Sequence, residues 1–261
     1  SSIALEPTYF DKTQDYPMES EDNKYLLTVQ NNGATLDEDG KVVLLTEDVR
    51  NGNGRAIKSR LWSPNREDKF SEPCNAIAWI MKDPTLPPVV KVSDPVLAAA
   101  MGATLATKRT SAERLAEGVD PDALVVEPYA NPFRTYPLAE DYKKFKALFE
   151  ERNVDCYIIN TGAFMGKDVS KEITLGSIEK IVEGKAEFTK LGELSDLEYL
   201  DIPGYEPNFE DKNYRDQFIA RMKDRVEFIE SRKDFKDGYD KLPDEALKAM
   251  KKILDEAKKT L

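Results

Sequence analysis

The sequence predicts an α/β fold, and the prediction depends on three neighbouring segments. Residues 139–152 carry apolar side chains at helical spacing and form a predicted amphipathic helix. The run VDCYIIN, which ends at Asn160, is a short apolar-rich run of the kind expected of a buried strand. After a turn with two glycines, residues 173–182 again have apolar side chains at roughly helical spacing, and Gly184 can end that helix. A helix–strand–turn–helix order is typical of α/β proteins.

The other segments supply further predicted elements, and we expect all of residues 1–261 to form one domain. Residues 25–29 and 41–45 are apolar-rich runs separated by NNGATLDEDG, so we expect them to pair as a hairpin. AIAWIM, at residues 76–81, is a predicted buried strand. Helices are also predicted at residues 94–107, 212–232 and 243–260. The last of these begins at Pro243, with acids in its first turn and lysines in its last.

Residues 108–137 have no clear period and contain four prolines. An irregular stretch of this length in a compact domain is often a lid or a binding loop, and we predict one here. The alternative for its conspicuous side chains, Phe133, Arg134 and Tyr136, is that they attach the loop to the core. We prefer that interpretation of these three residues.

Composition limits the classes of partner. The net charge of −11 argues against a nucleic-acid partner, because neutralising phosphates needs a basic surface. No apolar run is long enough to span a bilayer, so we expect no membrane partner. Cys74 and Cys156 both lie among apolar residues, so we expect two buried thiols in a cytoplasmic protein.

The chain contains no histidine. Ser-His-Asp and Cys-His catalysis therefore cannot be built from this chain alone, and neither can a zinc site with a histidine ligand. Any acid–base chemistry would fall to carboxylates, lysine or tyrosine.

The stretch NTGAFMGKDVSKEITLGSIEKIV, residues 160–182, is the first candidate site. A strand, a glycine turn and a helix in this order can point backbone N–H groups and a positive helix end at an anion. Gly162 and Gly166 permit the turn, and Lys167 supplies a cation. The stretch is not a P-loop, because only three residues separate the glycines and Asp168 follows the lysine. The alternative is an ordinary strand-to-helix connection.

The segment TEDVRNGNGRAIKSRL is the second candidate, an anion-binding loop. Gly52 and Gly54 would let the backbone approach a ligand, and four cations occur within eleven residues: Arg50, Arg55, Lys58 and Arg60. The alternative is a wide solvated turn whose arginines pair with neighbouring acids.

Several segments, in this order, resemble ATP-type phosphoenolpyruvate carboxykinase. LTEDVRNGNG is similar to that family's substrate-arginine segment, and TLPPVV to its V-L-P-P-V stretch. MGATLATKR and VEPYANPF are similar to the segment that includes its mobile lid, and NTG…GK.VS…T to its adenine-loop signature. LDIPGY and the long helices fit its C-terminal end. The likeness covers nearly all of this chain, but only the C-terminal half of such an enzyme.

The resemblance implies a mixed sheet with flanking helices, as in the C-terminal mononucleotide-binding domain of that family. It also implies that Arg50 is catalytic, because it matches the family arginine that reaches the nucleotide phosphate and the substrate. Gly52, Gly54 and Arg55 would belong to the same anion loop. The implied nucleotide-binding residues are Gly166, Lys167, Asp168, Val169 and Thr174. Asp168 departs from the pattern, since the family has an arginine there.

The implied reaction converts oxaloacetate and ATP to phosphoenolpyruvate, CO2 and ADP, with Mg²⁺ or Mn²⁺. The family's phosphate loop and metal ligands have no counterpart in this chain, so we expect no metal site and no activity from the chain alone. Its expected partners are a small-molecule substrate, a nucleotide and a separate N-terminal half. The alternative is a non-catalytic relative that binds a nucleotide, an anion or a partner protein.

Overall fold

A computed structural model describes residues 10–12, 24, 26–30, 34–40, 42–44, 55–58, 61, 72–108, 118, 120, 123–131 and 134–259. The chain divides into two compact units. The first comprises residues 1–73 and 109–123, and the second comprises residues 74–108 and 124–261.

The first unit contains only short antiparallel ladders among the residues described. Its strands are β1 (Phe10–Lys12), β2 (Leu26–Gln30), β3 (Ala34–Leu36), β4 (Val42–Leu44) and β5 (Arg55–Lys58). Three of them form a sheet in the order β1-β5-β2, while β3 and β4 pair with each other.

The predicted hairpin between residues 25–29 and 41–45 is wrong. Strand β4 pairs with β3, and β2 pairs with β5. The reason is a tight turn at residues 37–40: the Asp37 carboxylate accepts a bond from Asp39 N–H, the Asp37 carbonyl accepts one from Gly40 N–H, and Gly40 has φ +76°. The strands that flank such a short turn are the ones that pair.

The second unit is built on a five-stranded mixed sheet in the order β13-β14-β7-β10-β6. Strands β6 and β10 are parallel, and the other neighbours are antiparallel. Two further ladders, β8-β9 and β11-β12, lie outside the sheet. The strands are β6 (Ala76–Met81), β7 (Val89–Val92), β8 (Ala106–Lys108), β9 (Leu124–Val126), β10 (Asp155–Asn160), β11 (Ala163–Phe164), β12 (Lys167–Asp168), β13 (Phe188–Lys190) and β14 (Leu197–Leu200).

Helices pack on both faces of this sheet, which confirms the predicted α/β class with a mixed sheet and flanking helices. They are α1 (Pro95–Ala103), α2 (Leu138–Glu151), α3 (Lys171–Val182), α4 (Lys212–Ser231) and α5 (Asp244–Lys259). Because alternate residues of a strand face opposite sides, Cys156 and Ile158 of β10 join the main core with α1, α2, α4 and α5. Tyr157 faces the other side, in a smaller cluster that includes Ile181 of α3. Among the described helices, none combines the length and apolar character that crossing a bilayer requires.

Three predictions about individual segments need correction. The predicted helix at 94–107 ends at Ala103, because Ala106 leaves it to pair with Val126 in the β8-β9 ladder. Cys74 is exposed, since it lies just before β6, whereas Cys156 is buried as predicted. The strand predicted to be buried at residues 76–81 is β6, the outermost strand of its sheet, in which Trp79 and Met81 are buried and Ile80 is exposed. Burial, with the neighbouring Asp155 carboxylate, raises the pKa of the Cys156 thiol well above its usual value.

Part of the predicted lid at residues 108–137 is attached to the core. Glu127 N–H donates to the Leu105 carbonyl (2.8 Å), and the buried Tyr129 donates its hydroxyl proton to the Ala99 carbonyl (2.8 Å). The Tyr129 ring stacks on Phe145, with 4.7 Å between centroids. Residues 109–122 lie mostly outside the described residues, so a lid in that stretch stays a prediction.

The packing around Gly102 of α1 supports a specific stability prediction. A Cβ atom there would lie 2.6 Å from the Tyr129 ring and 2.7 Å from the Trp79 ring. We therefore expect Gly102→Ala to lower the free energy of unfolding by about 1–3 kcal/mol through overpacking. Gly176→Ala in α3 is the matched control, because a Cβ atom there meets nothing within 4 Å. It should be neutral or stabilise by up to about 1 kcal/mol. Urea denaturation measures both, and equal stabilities would contradict this packing.

Candidate functional site

The candidate site begins where the two parallel strands end. In the β6–β10 ladder Asn160 is paired with Met81, so the carboxyl ends of both strands lie side by side. In open α/β sheets, ligands bind outside the carboxyl ends of parallel strands. The chain leaving β10 at this edge is the N-T-G turn of the sequence prediction.

The side chain of Asn160 organises this turn. Asn160 is fully buried, and its amide nitrogen lies 2.8 Å from the Asp83 carbonyl and 2.7 Å from the Leu86 carbonyl. It also lies 3.0 Å from the Ala163 carbonyl, while the amide oxygen accepts a bond from Gly162 N–H (3.1 Å). One side chain therefore ties the turn to residues 83–86.

The glycine turn itself is a hairpin. Strands β11 and β12 pair through Phe164 and Lys167, and Met165 and Gly166 between them have φ values of +47° and +82°. Two successive residues with positive φ are typical of a type I′ hairpin turn, which explains the glycine. Helix α3 begins only afterwards, with the Ser170 hydroxyl accepting from Ile173 N–H as its N-cap. The predicted strand, turn and helix are therefore present, with a hairpin between the strand and the helix.

The Lys167 side chain is bound within the chain. Its ammonium group donates to the Gly204 carbonyl (3.0 Å) and lies 4.1 Å from the centroid of the Tyr205 ring. The Tyr205 hydroxyl in turn donates to the Asp168 carbonyl. These reciprocal contacts hold the hairpin against residues 204–205. A nucleotide phosphate would have to compete with the Gly204 carbonyl for this cation.

The other predicted nucleotide-binding residues differ in accessibility. Gly166 and Asp168 are exposed. Val169 is buried, and its N–H donates to the Gly162 carbonyl (2.8 Å). Thr174 is half-buried in the first turn of α3, where its hydroxyl donates to the Ser170 carbonyl (3.3 Å). The structure thus brings all five predicted residues into one hairpin and the helix that follows it.

The second candidate loop lies mostly outside the described residues. Arg50, Gly52 and Gly54 lie outside the described residues, and Arg55 is described only as the first residue of β5. The assignment of Arg50, Gly52, Gly54 and Arg55 to an anion-binding loop stays a prediction.

The attachment of Arg134 and Tyr136 to the core is confirmed. Arg134 forms a two-pronged ion pair with Asp240 (2.7 and 3.0 Å), and the Tyr136 hydroxyl donates to Asp141 (2.9 Å). The ion pair with Arg134 lowers the pKa of the Asp240 carboxyl, with a further contribution from the bond that Leu138 N–H donates. Phe133 lies outside the described residues.

Sequence reasoning missed a buried charge cluster beneath the turn. Asp83 and Arg225 are both in the core, and Arg225 Nη2 lies 3.1 Å from Asp83 Oδ2. Burial raises the pKa of Asp83, but the charges of Arg225 and Arg221 and the bonds from Thr85 outweigh it, so the net pKa is lowered. Burial lowers the pKa of Arg225 to about 10, which still leaves it protonated at neutral pH. The available signal was an arginine on the apolar face of the predicted helix at 212–232.

Two open clefts lie elsewhere in the described part of the chain. One, of about 460 Å³, lies among Lys190, Tyr199 and Phe209, and the other, of about 420 Å³, lies beside Arg134 and Tyr239. Neither is lined by a residue of the hairpin, so neither supports nucleotide binding there. Among the residues with known placement, no group of three or more acidic or cysteine side chains could hold a metal ion, so these residues do not fit the Mg²⁺ or Mn²⁺ that the resemblance implies.

Comparison of the sequence with protein-family models gave no match, and comparison with curated proteins gave none either. The fold class and the hairpin at the strand ends therefore carry the functional argument.

Proposed function

We propose that this chain is the C-terminal part of a phosphoenolpyruvate carboxykinase, which converts oxaloacetate and ATP to phosphoenolpyruvate, CO2 and ADP. In this proposal the chain contributes Arg50, a lid and the adenine loop. A separate N-terminal half supplies the phosphate loop and the metal ligands. The observation that carries the proposal is the position of the N-T-G turn and its hairpin, at the carboxyl ends of two adjacent parallel strands.

Each part has a physical role in phosphoryl transfer. The planar guanidinium of Arg50 suits two-pronged contact with a phosphate and neutralises charge that develops during transfer. The nucleotide would contact the hairpin and the start of α3, through Gly166, Lys167, Asp168, Val169 and Thr174. ATP supplies the transferred phosphoryl group. Positioning and charge neutralisation provide most of the rate in such reactions, so the chain alone is expected to be inactive.

A second candidate function is a non-catalytic relative that binds a nucleotide, an anion or a partner protein. Two observations favour it. The exposed Asp168 would repel a phosphate at the hairpin, and the Lys167 ammonium is already bound by the Gly204 carbonyl and the Tyr205 ring.

Calorimetric titration of the chain with ATP and Mg²⁺ tests the nucleotide site. We expect saturable binding that Lys167→Ala weakens by roughly tenfold through loss of one charge-assisted contact. Lys180→Ala is the matched control, because Lys180 is exposed in the last turn of α3, and it should leave the Kd unchanged. No heat of binding, or an unchanged Kd for Lys167→Ala, would contradict the site. Carboxykinase activity from this chain alone would contradict both candidate functions.

A further inference from the structure

The segment that holds the N-T-G turn is itself held from helix α4. Residues 83–86 accept two bonds from the Asn160 amide, and the Pro84 carbonyl accepts one from Met165 N–H (2.9 Å). On the α4 side, the Tyr214 hydroxyl donates to the Thr85 carbonyl (3.2 Å). The position of the hairpin therefore depends on how residues 83–86 are fixed.

Asp83 is the residue that joins the two sides. Its carboxylate accepts bonds from Thr85 N–H (3.0 Å) and the Thr85 hydroxyl (2.7 Å), and it pairs with Arg225 (3.1 Å). Its carbonyl oxygen accepts the bond from Asn160 (2.8 Å). The carboxylate and the carbonyl of one fully buried residue thus connect α4 to the turn.

Arg225 has a second contact that fixes its own direction. Its Nη1 donates to the Thr104 carbonyl (2.6 Å) and lies 3.1 Å from the Thr104 hydroxyl, at the end of α1. Arg221 adds charge, with its Nε 3.5 Å from Asp83 Oδ2. That nitrogen has no hydrogen-bond partner, so its contact with Asp83 is electrostatic.

Stability alone gives no reason for an ion pair at this place. Two charges lose their hydration on burial, and well-packed apolar side chains of similar volume are often as stabilising or more so. An ion pair that also makes hydrogen bonds fixes the orientation of both charged groups, here the Asp83 carboxylate and the Arg225 guanidinium. Here the direction that matters is that of the Asp83 carbonyl, because it sets the Asn160 amide and, through it, Gly162.

We propose that Asp83 and Arg225 are positioning residues that hold the N-T-G turn and the hairpin at residues 163–168 in the geometry that binds the nucleotide. The nucleotide in this statement rests on the proposed function. The positioning itself rests on the contacts of Asp83, Asn160 and Arg225. Neither Asp83 nor Arg225 is accessible to a ligand, since both are buried.

The test removes the charges of Asp83 and Arg225 together and measures the local opening of the turn. In the variant Asp83→Asn/Arg225→Met, hydrogen exchange is measured by NMR at the N–H groups of Gly162, Met165 and Val169, relative to that of Ile158 in the core of the sheet. We expect this exchange ratio to rise about tenfold, since the turn opens locally while the sheet stays folded. Met250→Ala is the control for general destabilisation. It removes a buried side chain of α5 and leaves a cavity in the core, and it should leave the exchange ratio unchanged.

Two further variants test the same positioning role with smaller changes. Arg225→Lys retains a charge near Asp83 but loses the planar fork that also reaches Thr104, so its ratio should lie between those of the wild type and the double variant. Thr85→Val removes the bond from the Thr85 hydroxyl to Asp83 and should raise the exchange ratio by less than the double variant does. If the double variant does not fold, Thr85→Val replaces it in the test. An unchanged ratio in the double variant, or in Thr85→Val where the double variant does not fold, overturns the positioning role.

Titration of the same variants with ATP and Mg²⁺ separates this proposal from the proposed function. If both hold, the double variant binds ATP about tenfold more weakly, because the misplaced hairpin loses contacts. If the wild type does not bind ATP while the exchange ratio rises, the proposed function fails and the positioning role stands. If the wild type binds ATP and the exchange ratio and Kd of the double variant are unchanged, the positioning role fails alone.

Discussion

Replacing Arg225 with methionine is expected to lower the free energy of unfolding by about 3–5 kcal/mol at neutral pH, because the variant leaves a buried carboxylate without its main partner. The substitution also removes the hydrogen bond that Arg225 donates to the Thr104 carbonyl. Guanidinium or urea denaturation measures the loss. Lys223→Met is the matched control on the same helix, since Lys223 is exposed, and it should change stability by less than about 0.5 kcal/mol.

The loss in Arg225→Met should depend on pH with a definite sign. The native pKa of Asp83 is lowered, so its ionised form stabilises the wild type above the unfolded-state pKa of about 4, and this contribution disappears as the pH falls through the native value. In the variant, burial without Arg225 favours the neutral carboxyl. The stability difference between the two proteins should therefore shrink in acid. A difference that stays constant down to the acid transition would contradict the ion-pair account.

Arg50→Ala, in a complete enzyme that contains the N-terminal half, is expected to reduce turnover by roughly 10³-fold or more. In the proposed function the Arg50 guanidinium neutralises charge in the transition state, so the loss should appear in kcat. Steady-state assay of phosphoenolpyruvate formation measures it, and circular dichroism checks that the fold survives.

The control is Arg152→Ala, because Arg152 is an exposed arginine at the end of α2 that belongs to neither candidate loop. It should leave turnover within a few-fold of the wild type. Near-normal turnover in Arg50→Ala, or equal losses in both variants, would contradict the assignment of Arg50.

The fold could be predicted where hydrophobic pattern and length were both decisive. Strand β10 lies inside the sheet of the second unit and has a nearly continuous apolar run, and α2, α4 and α5 have clear helical spacing. The apolar run of β6 did not reveal that this strand is the outermost one of the sheet, with Trp79 buried and Ile80 exposed. Pairing was less predictable, because the apolar run of β2 carries no information about its partner. The turn at residues 37–40 decided that β4 pairs with β3, which left β2 for β5.

The candidate site could be predicted only in its local part. The motif located the hairpin, because Gly162, Gly166 and Lys167 are close in sequence. The charge cluster could not be predicted in the same way, since Asp83 and Arg225 are 142 residues apart and their contact forms only when α4 packs on the sheet. The partner of Lys167 was missed for the same reason, because Gly204 comes from a distant loop.

The central claim of the proposed function is that the hairpin at residues 163–168 binds a nucleotide. The most direct measurement is an NMR titration of the chain with ATP and Mn²⁺, whose paramagnetism broadens the signals of nearby groups, with Mg²⁺ as the diamagnetic control. The claim predicts that the Gly166 N–H signal broadens as ATP and Mn²⁺ are added, and that it does not broaden with ATP and Mg²⁺ at the same concentrations. A Gly166 N–H signal that Mn²⁺ leaves unchanged at saturating ATP would contradict it.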